Sequence, residues 1–357
     1  MYSTVNLGSS LLENSTLLNS DFSCRSLTRT GNWGREKRPE MVVRLFAGLA
    51  KLVACCYGTF VGVIFIFQRK LQYFPLAKRP PHPSHFSPFF ASVEDISIVT
   101  ADNVKLDGWF WPADKNRKHA NVSILHLHGN AGNRQHRLGW AYAVRQRYGC
   151  AVTLVDYRGY GGNEGSPSEA GLILDAIAAI TWHCDTNGGN GAKLVLHLES
   201  IGSVAGIGAL RMLDPVRRTK IVGIVVEGGL SSCIDVVKDR LRFLPLSVLM
   251  MDKWSGACAA ASKLTVETSF LSLHGSDDTI VPLSLGRKLY EAVACKNKEF
   301  VQFVGGGHND LLEQPMYLQT LDKFYTTLVS LSATTLPCSS PSTVPVPLER
   351  NHLFELS

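Results

Sequence analysis

The sequence predicts an α/β fold, in which a mostly parallel central sheet carries helices on both faces and is preceded by one transmembrane helix. Short apolar segments rich in β-branched residues alternate with segments of helical periodicity over residues 93–331, which is typical of such a sheet. An almost uncharged apolar stretch lies upstream of this region. At 357 residues, of which 45% are hydrophobic and 18% charged, the chain is long enough to bury a substantial core.

The amino-terminal region divides into a polar tail, an apolar stretch and a proline-rich neck. Residues 1–44 are rich in Ser, Asn, Thr and Leu without a clear period, so we expect a mobile tail. Residues 45–67 are apolar apart from Lys51, and they can cross a bilayer if that lysine reaches the interface. The stretch begins too far from the first residue for an ordinary secretory signal, so we expect a membrane anchor. Residues 68–92 form the neck, which its prolines make stiff.

Basic residues favour one orientation of this anchor. They are more numerous on its amino-terminal side, which predicts a single-pass type II protein with a cytoplasmic amino terminus and a lumenal or extracellular body. The amino-terminal group is Arg25, Arg29, Arg35, Lys37, Arg38, Arg44 and Lys51, and the other group is Arg69, Lys70, Lys78 and Arg79. Glycosylation sequons begin at Asn14 and Asn121, on opposite sides of the anchor, and therefore do not decide between the orientations.

Composition and spacing argue against several other classes of protein. The net charge of +6 is not gathered into a basic stripe with aromatic residues, so no nucleic-acid partner is expected. The nine cysteines are scattered without a CxxC pair, which predicts neither a zinc site nor a disulfide framework. Gly159, Gly161 and Gly165 miss the dinucleotide-binding spacing, and no Walker lysine follows them. The partner that the composition does predict is the lipid bilayer, because of the apolar stretch at residues 45–67.

Eight segments are predicted to be strands because they are short, apolar and rich in β-branched residues. They cover residues 93–99, 104–111, 122–128, 150–155, 193–198, 220–226, 269–274 and 300–304. Helices are predicted over residues 136–148 and 311–331. A capping box at Ser166–Glu169, with Pro167 in the first helical position, predicts the start of another. Residues 332–357 are rich in Ser, Pro and Thr and are expected to be disordered.

One serine has the surroundings expected of a nucleophile elbow, the sharp strand-to-helix turn that exposes a serine side chain. Ser200 follows a predicted strand and precedes the small-residue segment 201–209, which suits a helix packed close to the sheet. The usual Gly-x-Ser-x-Gly pattern is incomplete, because Leu198 takes the first glycine position while Gly202 takes the second. Taken alone, such a serine is also typical of a helix cap.

Two loops further along the chain supply partners for Ser200. Asp278 follows the predicted strand 269–274, and His308 follows the predicted strand 300–304. Functional groups gather at the carboxyl ends of the strands in such sheets, and the chain order Ser…Asp…His is that of α/β-hydrolases. We predict that His308 accepts the proton of Ser200 and that Asp278 holds the imidazole ring and stabilises its charged form.

Other acids and histidines were weighed for the same roles. Asp278 is preferred to the adjacent Asp277 because of its position relative to the strand end, and Asp310 is the fallback carboxylate. His126 and His197 lie in the middle of predicted strands, so we interpret them as core histidines.

Backbone groups are expected to complete the site. The N–H of Ile201, at the start of the predicted helix, should be one oxyanion donor. A backbone N–H at Asn130 or Ala131, in the loop after the third strand, should be the other. A site of this kind requires no metal and no cofactor, and none is predicted.

Two further blocks make the sequence resemble the Bem-type family of α/β-hydrolases. They are HGNAGN at residues 128–133 and DYRGYG at residues 156–161, and the similarity extends over roughly residues 52–330. The resemblance implies the α/β-hydrolase fold and the same three triad residues. It also implies an ester or thioester substrate, since relatives include enzymes that remove palmitate from protein cysteines.

The elbow departs from the pattern of that family, which is usually Gly-Arg-Ser-Leu-Gly-Gly. Leu198 replaces the first glycine, Glu199 the arginine and Ser203 the last glycine. Because small residues let strand and helix pass closely, the leucine must be accommodated by widening or local repacking. The added acid beside the nucleophile is expected to disfavour an anionic headgroup.

The sequence therefore predicts a membrane-anchored serine hydrolase that cleaves an ester or thioester, such as a lipid or an acylated protein, through an acyl-enzyme. Two other interpretations stay open, because a fold does not determine a function. One is a catalytically lapsed, anchored binding or scaffold protein, and the other is a serine peptidase. The apolar segment 243–251 is expected either to form a small lid that receives an acyl chain or to pack against the membrane.

Overall fold

The computed structural model describes residues 37–117, 119–186, 192–264 and 268–333. Most of the amino-terminal tail and nearly all of the carboxyl-terminal tail predicted above lie outside the described residues. The chain divides into two compact units between Thr59 and Phe60. The unit that starts at Phe60 contains the central sheet and every residue of the predicted site.

The first helix, α1 (Lys37–Gln72), includes residues of both units. Its segment Glu40–Gln72 contains an 18-residue window with a mean hydropathy of 2.0, and it is long and apolar enough to cross a membrane. The predicted stretch 45–67 thus lies within a longer helix, whose last turn carries the basic residues Arg69 and Lys70.

A sheet of eight strands forms the centre of the larger unit. In chain order the strands are β1 (Glu94–Val99), β2 (Lys105–Trp111), β3 (Val122–Leu127), β4 (Ala151–Val155), β5 (Lys193–Glu199), β6 (Ile221–Glu227), β7 (Ser269–Gly275) and β8 (Lys298–Phe303). Their spatial order is β8-β7-β6-β5-β3-β4-β2-β1. Strand β2 runs antiparallel to both of its neighbours, and all other pairs are parallel. Each predicted strand overlaps one of these, so the prediction of a mostly parallel sheet is confirmed.

Helices cover both faces of this sheet. They are α2 (Leu138–Tyr148), α3 (Glu169–Asp185), α4 (Ile201–Met212), α5 (Pro215–Thr219), α6 (Cys233–Val237), α7 (Leu246–Leu249), α8 (Ala257–Ala261), α9 (Leu283–Ala292) and α10 (Tyr317–Ala333). Residues of α2 and α10 belong to the apolar core on one face, and residues of α3, α4, α8 and α9 belong to the core on the other. Side chains of a strand alternate between faces, so Leu196 and Leu198 enter the second core whereas Val195 enters the first.

Two predicted helix starts are displaced by local chemistry. Helix α3 begins at Glu169 and is capped by Ser168, whose hydroxyl accepts from the N–H of Gly171, so the predicted start at Ser166 was wrong by one half-turn. Residues 311–313 form a 3-10 turn, and α10 starts only at Tyr317. Pro315 explains the delay, because the residue before a proline is disfavoured in helical conformation.

The neck is packed against the site region over part of its length. Its first five residues, 68–72, belong to α1. Phe74–Pro75 then forms a short parallel ladder with Ala131–Gly132, in the loop after β3. Two proline-started 3-10 turns follow, at Pro83–His85 and Pro88–Phe90. The chain that leaves the apolar helix is therefore hydrogen-bonded to the loop that should supply an oxyanion donor.

Candidate active site

Ser200 lies in the tight turn between β5 and α4. Its φ of 51° and ψ of −115° place a non-glycine residue in a strained backbone conformation, and it is one of three such residues with positive φ in the described part of the chain. The residue is 8% exposed, and its N–H donates to the carbonyl of Glu227 at the end of β6. This is the strand–turn–helix geometry of a nucleophile elbow.

Leu198, at the first elbow position, is accommodated by Gly206 in the second turn of α4. A Cβ on Gly206 would lie 2.6 Å from Cδ2 of Leu198, so the leucine side chain occupies space that only glycine leaves free. Gly202 is needed for another reason, since a Cβ there would lie 2.2 Å from the carbonyl oxygen of Leu127 on β3. The close passage of helix and strand is thus retained by local repacking and not by widening.

Ser203, at the position of the last family glycine, bonds the elbow. Its buried hydroxyl donates to the carbonyl of Ser200 at 2.6 Å and accepts from the N–H of Leu230 at 3.4 Å. The substitution therefore adds a hydrogen bond within the turn that carries the serine.

The structure brings the three predicted residues together. His308 Nε2 lies 3.0 Å from Ser200 Oγ, and His308 Nδ1 lies 2.6 Å from Oδ2 of Asp278. The second oxygen of Asp278 accepts from the N–H groups of Ile280 and Val281, at 2.9 and 2.8 Å. A nucleophile, a base and a group that orients the base are thus within hydrogen-bond reach of one another.

The two alternative carboxylates make other contacts. Asp277 accepts from the hydroxyl of the adjacent Ser276 at 2.7 Å and is exposed. Asp310 accepts from the N–H of Gly307 at 2.7 Å, so it holds the histidine loop by its backbone. The geometry therefore favours Asp278 as the partner of His308, as predicted.

A second histidine, which no local pattern singles out, also contacts Asp278. His274 Nε2 lies 2.9 Å from the carbonyl oxygen of Val281, to which it must donate, and 3.3 Å from Oδ2 of Asp278. Burial opposes ionisation of Asp278, but hydrogen bonds from His274 and His308 outweigh it and hold the pKa of the carboxyl below its usual range. These contacts favour the ionised form of Asp278 and hold its carboxylate in place.

Space beside His308 depends on another glycine. Gly228 follows β6 with a φ of 53°, which favours glycine, and a Cβ there would lie 2.8 Å from Cε1 of His308. Nothing in the local sequence pattern identified this residue, because its neighbour in space is 80 positions away in the chain.

Tyrosines of the DYRGYG block hold the loop of the HGNAGN block. The hydroxyl of Tyr157 donates to the carbonyl of His128 at 3.1 Å, and that of Tyr160 donates to the carbonyl of Asn130 at 2.9 Å. Because a trans peptide directs its N–H opposite to its carbonyl, these bonds turn the N–H of Ala131 away from Tyr160. The two blocks on which the family resemblance rests are therefore one hydrogen-bonded unit around the expected oxyanion donors.

Glu199, directly before the nucleophile, is neutralised by an arginine. Arg137 donates from Nε and Nη2 to the two carboxylate oxygens, at 2.9 and 2.6 Å, and from Nη1 to the carbonyl of Ala131 at 2.9 Å. Burial opposes ionisation of Glu199, but Arg137 outweighs it and holds the pKa of Glu199 below its usual range. The expected repulsion of an anionic headgroup is thus offset, and the elbow is tied to the oxyanion loop.

The end of α1 reaches the same loop. The side-chain amide of Asn130 donates to the carbonyl of Gln72 at 2.6 Å, and the N–H of Leu76 donates to the carbonyl of Gly132 at 3.1 Å. Asn130, predicted only for its backbone, is therefore bonded on one side to α1 and on the other to Tyr160.

A buried polar network underlies the elbow on the α2 and α10 face. His197 lies 2.7 Å from the Glu227 carboxylate, which also accepts from the hydroxyl of Tyr317, and Trp140 donates to that hydroxyl. His126 stacks on His197 with a centroid distance of 5.2 Å. Both histidines are buried, as the core interpretation predicted.

This fold, with a serine in the turn after β5, an aspartate after β7 and a histidine after β8, is that of an α/β-hydrolase. An uncharacterized protein of Mycobacterium tuberculosis is 33% identical over 277 residues, which are 77% of this chain and 93% of that protein. An uncharacterized membrane protein of Saccharomyces cerevisiae is 32% identical, over 65% of this chain and 78% of its own. Bem46 of Schizosaccharomyces pombe is 27% identical, over 78% and 92%.

The lysophosphatidylserine lipase ABHD12 of Bos taurus is 28% identical, over 78% of this chain and 75% of the lipase. Among solved structures, an esterase of Pyrococcus furiosus matches with a TM-score of 0.53 and 19% identity, over 73% of this chain and 98% of the esterase. That likeness shows the fold alone. No family model matches the chain. The chain belongs to the Bem46/ABHD family of α/β-hydrolases, and it is a hydrolase.

Proposed function

We propose that this protein is a membrane-anchored serine hydrolase that cleaves an ester or thioester through an acyl-enzyme on Ser200. The observation that carries the proposal is the hydrogen-bonded series Ser200–His308–Asp278, with distances of 3.0 and 2.6 Å, at a strained turn of the elbow type. The side chain of Ser200 makes no capping hydrogen bond to α4 and contacts His308 instead, which argues against a role as a helix cap.

The geometry supports a two-step reaction. In the first step Ser200 Oγ attacks the carbonyl carbon while its proton passes to His308 Nε2, and Asp278 stabilises the imidazolium. The oxyanion is stabilised by the N–H of Ile201 and by a backbone N–H at Asn130 or Ala131. The alcohol or thiol then leaves with the proton of His308. In the second step water attacks the acyl-enzyme with His308 again as base, which releases the acid and restores the serine.

The proposed substrate is an acyl ester or thioester with an apolar chain, such as a lipid or an acylated protein. The lipase among the relatives supports an ester of the lipid class, as does the location of the site beside the end of an apolar helix. Neutralisation of Glu199 by Arg137 is compatible with an anionic headgroup near the site.

The test of the nucleophile is labelling of the full chain in detergent with a fluorophosphonate probe. We expect wild type to be labelled, and Ser200→Ala and His308→Ala to lose labelling while their circular dichroism is retained. Loss in Ser200→Ala together with hydrolysis of a panel of acyl esters and thioesters, and not of peptides, would support the proposal over a serine peptidase. Well-folded wild type that is not labelled would contradict it and would favour a binding protein.

The proposed type II orientation has its own test, because the two sequons lie on opposite sides of the anchor. Expression in cells with a glycosylation machinery should modify Asn121 and leave Asn14 unmodified. We expect Asn121→Gln to abolish the endoglycosidase-sensitive mobility shift and Asn14→Gln to leave it unchanged. The opposite pattern would reverse the orientation.

A further inference from the structure

The apolar segment 243–251 lies alongside the carboxyl-terminal part of α1 in the larger unit. The ring of Phe243 packs on that of Phe60 with a centroid distance of 6.3 Å. The side chain of Gln68 donates to the carbonyl of Leu249 at 3.1 Å and accepts from the N–H of Met251 at 2.7 Å. Phe60 and Gln68 are eight residues apart, or about 12 Å along a helix. The segment therefore follows more than two turns of α1.

Polar contacts fix this arrangement just beyond the segment. Arg69 donates to the carboxylate of Asp252 at 2.9 Å, and the side chain of Gln72 donates to the carbonyl of Asp252 at 2.9 Å. Asp252 is buried and also accepts from the N–H of Glu169, so the segment is attached at its base to α1 and to α3. These contacts hold the segment 243–251 in a defined position beside α1.

The segment has an inner and an outer side. Leu244 is buried in the protein, whereas Phe243, Val248 and Met251 are 55%, 79% and 52% exposed. Large apolar side chains exposed at this level within one short segment mark an interaction surface. A lid closed over the serine would bury them instead.

The position along α1 indicates what covers this surface. Phe60 lies seven residues before the end of the predicted span at Phe67, or about 10 Å inside it along the helix. Amphipathic elements that lie in the membrane interface bury their apolar side by about 5–10 Å. Phe243 is therefore level with the lipid-embedded part of α1. The Leu249–Met251 end, which Gln68 contacts, is level with the interface where the predicted span ends.

We propose that residues 243–251 form a second membrane-inserting surface, in which Phe243, Val248 and Met251 enter the lipid leaflet beside α1. This rests on the proposed membrane anchor but not on catalysis. Since Gln72 contacts both Asp252 and Asn130, the surface is connected to the oxyanion loop through a single residue. An apolar acyl chain that resides in the same leaflet is then the form of substrate that the site would receive.

The test compares two exposed valines of the full chain in phosphatidylcholine vesicles. Val248→Trp places a fluorophore on the proposed surface, and Val216→Trp places one on α5, where Val216 is 70% exposed. Both are made in a Ser200→Ala background, so the outcome does not depend on activity. Because membrane insertion brings the indole near the acyl chains, we expect lipid-attached nitroxides to quench the added emission of Val248→Trp at least about twofold more than that of Val216→Trp.

Met251→Trp is the second probe, in case Val248→Trp perturbs the short helix α7. Equal quenching at residues 216, 248 and 251, in chains that float with the vesicles, would overturn the inserting surface and leave the anchor proposal intact. A chain that does not float with the vesicles at all would overturn both. If the wild type is not labelled by fluorophosphonate but the selective quenching is observed, the hydrolase mechanism would be rejected and the inserting surface would be retained.

Discussion

The described residues include two histidine–carboxylate pairs near the elbow: Asp278 and His308 in the loops after β7 and β8, and His197 and Glu227 within β5 and β6. His308 lies 2.6 Å from Asp278, and His197 lies 2.7 Å from Glu227. The hydrogen bonds are nearly alike, yet only the first pair presents its other ring nitrogen to a serine. The His197 ring is fully buried on the α2 and α10 face, where the hydroxyl of Tyr317 also bonds Glu227. His308 is a candidate base because its ring lies beside Ser200, whereas His197, with a similar bond to a carboxylate, does not contact a serine.

The strongest way to break this comparison is to remove each histidine in turn. His308→Gln should lower kcat by about 10⁶-fold, because the serine loses its base, with little change in the free energy of unfolding. His197→Leu should lower the free energy of unfolding by about 1–3 kcal/mol, because the Glu227 carboxylate loses a buried partner, and should leave kcat largely intact. Ester hydrolysis and urea denaturation measure the two effects. Equal loss of activity in both variants would contradict the assignment.

The carboxylate of the first pair gives the next largest effect. Asp278→Asn should lower kcat by about 10⁴-fold, because an amide does not stabilise the imidazolium and can favour the wrong tautomer. Asp277→Asn is the matched control, since Asp277 is exposed and contacts Ser276 instead. Activity that falls in Asp277→Asn and not in Asp278→Asn would exchange their roles.

The packing of Leu198 against Gly206, which accommodates the elbow of Ser200, can be tested by substitution. Gly206→Ala should destabilise the fold by about 1–2 kcal/mol, because the new methyl overlaps a leucine that is wholly buried. Leu198→Ala alone should cost about 2–5 kcal/mol, because it truncates a buried leucine. In that background Gly206→Ala should cost little, and a double-mutant cycle in urea would reveal this coupling. Gly208→Ala is the control on the same helix. Its Cβ would lie 3.1 Å from Cδ1 of Ile173, the end of a side chain that is only half-buried, so it should cost less than Gly206→Ala. Additive effects of the Gly206 and Leu198 changes would show that the two residues do not compensate each other.

Acidification should lower the free energy of unfolding through the buried histidines before it does so through Asp278. Burial, reinforced by the neighbouring His197, lowers the pKa of His126, and burial lowers the pKa of His183 to about 4. Between about pH 6.5 and 4 the unfolded chain takes up protons that the folded chain refuses, so stability falls by up to about 1.4 kcal/mol per pH unit for each histidine. The lowered pKa of Asp278 adds to the loss only below about pH 4.

Urea denaturation at a series of pH values measures this slope. His183→Gln is the useful variant, because His183 contacts Thr153 far from the proposed site and has burial as its only cause of shift. It should flatten the slope between about pH 6.5 and 4, and an unchanged slope would exclude His183 from the effect.

Much of this molecule could be predicted from local sequence patterns. All eight strands, the hairpin at β1 and β2 and the order Ser200, Asp278, His308 follow from periodicity and from strand-end positions. The helix starts were less accurate, because Pro315 and a choice between Ser166 and Ser168 act over single residues. The triad could be proposed because each member lies just after its own strand, where a parallel sheet gathers them.

Contacts between distant residues could not be predicted in this way. Gly206 accommodates Leu198, Arg137 neutralises Glu199, Gly228 makes space for His308 and His274 supports Asp278. None of these partners is marked by local periodicity, because each contact joins elements whose side chains meet only when the sheet is assembled. The unusual elbow sequence is therefore accommodated by residues that cannot be located from the local pattern alone.

The sequence by itself determined the α/β class, the apolar helix and the line of strands that delivers three polar residues to one edge, because period and chain order are local properties. The tertiary structure decided which histidine faces the serine, which carboxylate holds it and how a leucine fits the elbow. It also decided that the end of the apolar helix contacts the oxyanion loop. These depend on side-chain packing across strands and helices, where a displacement of one ångström changes a hydrogen bond into a clash.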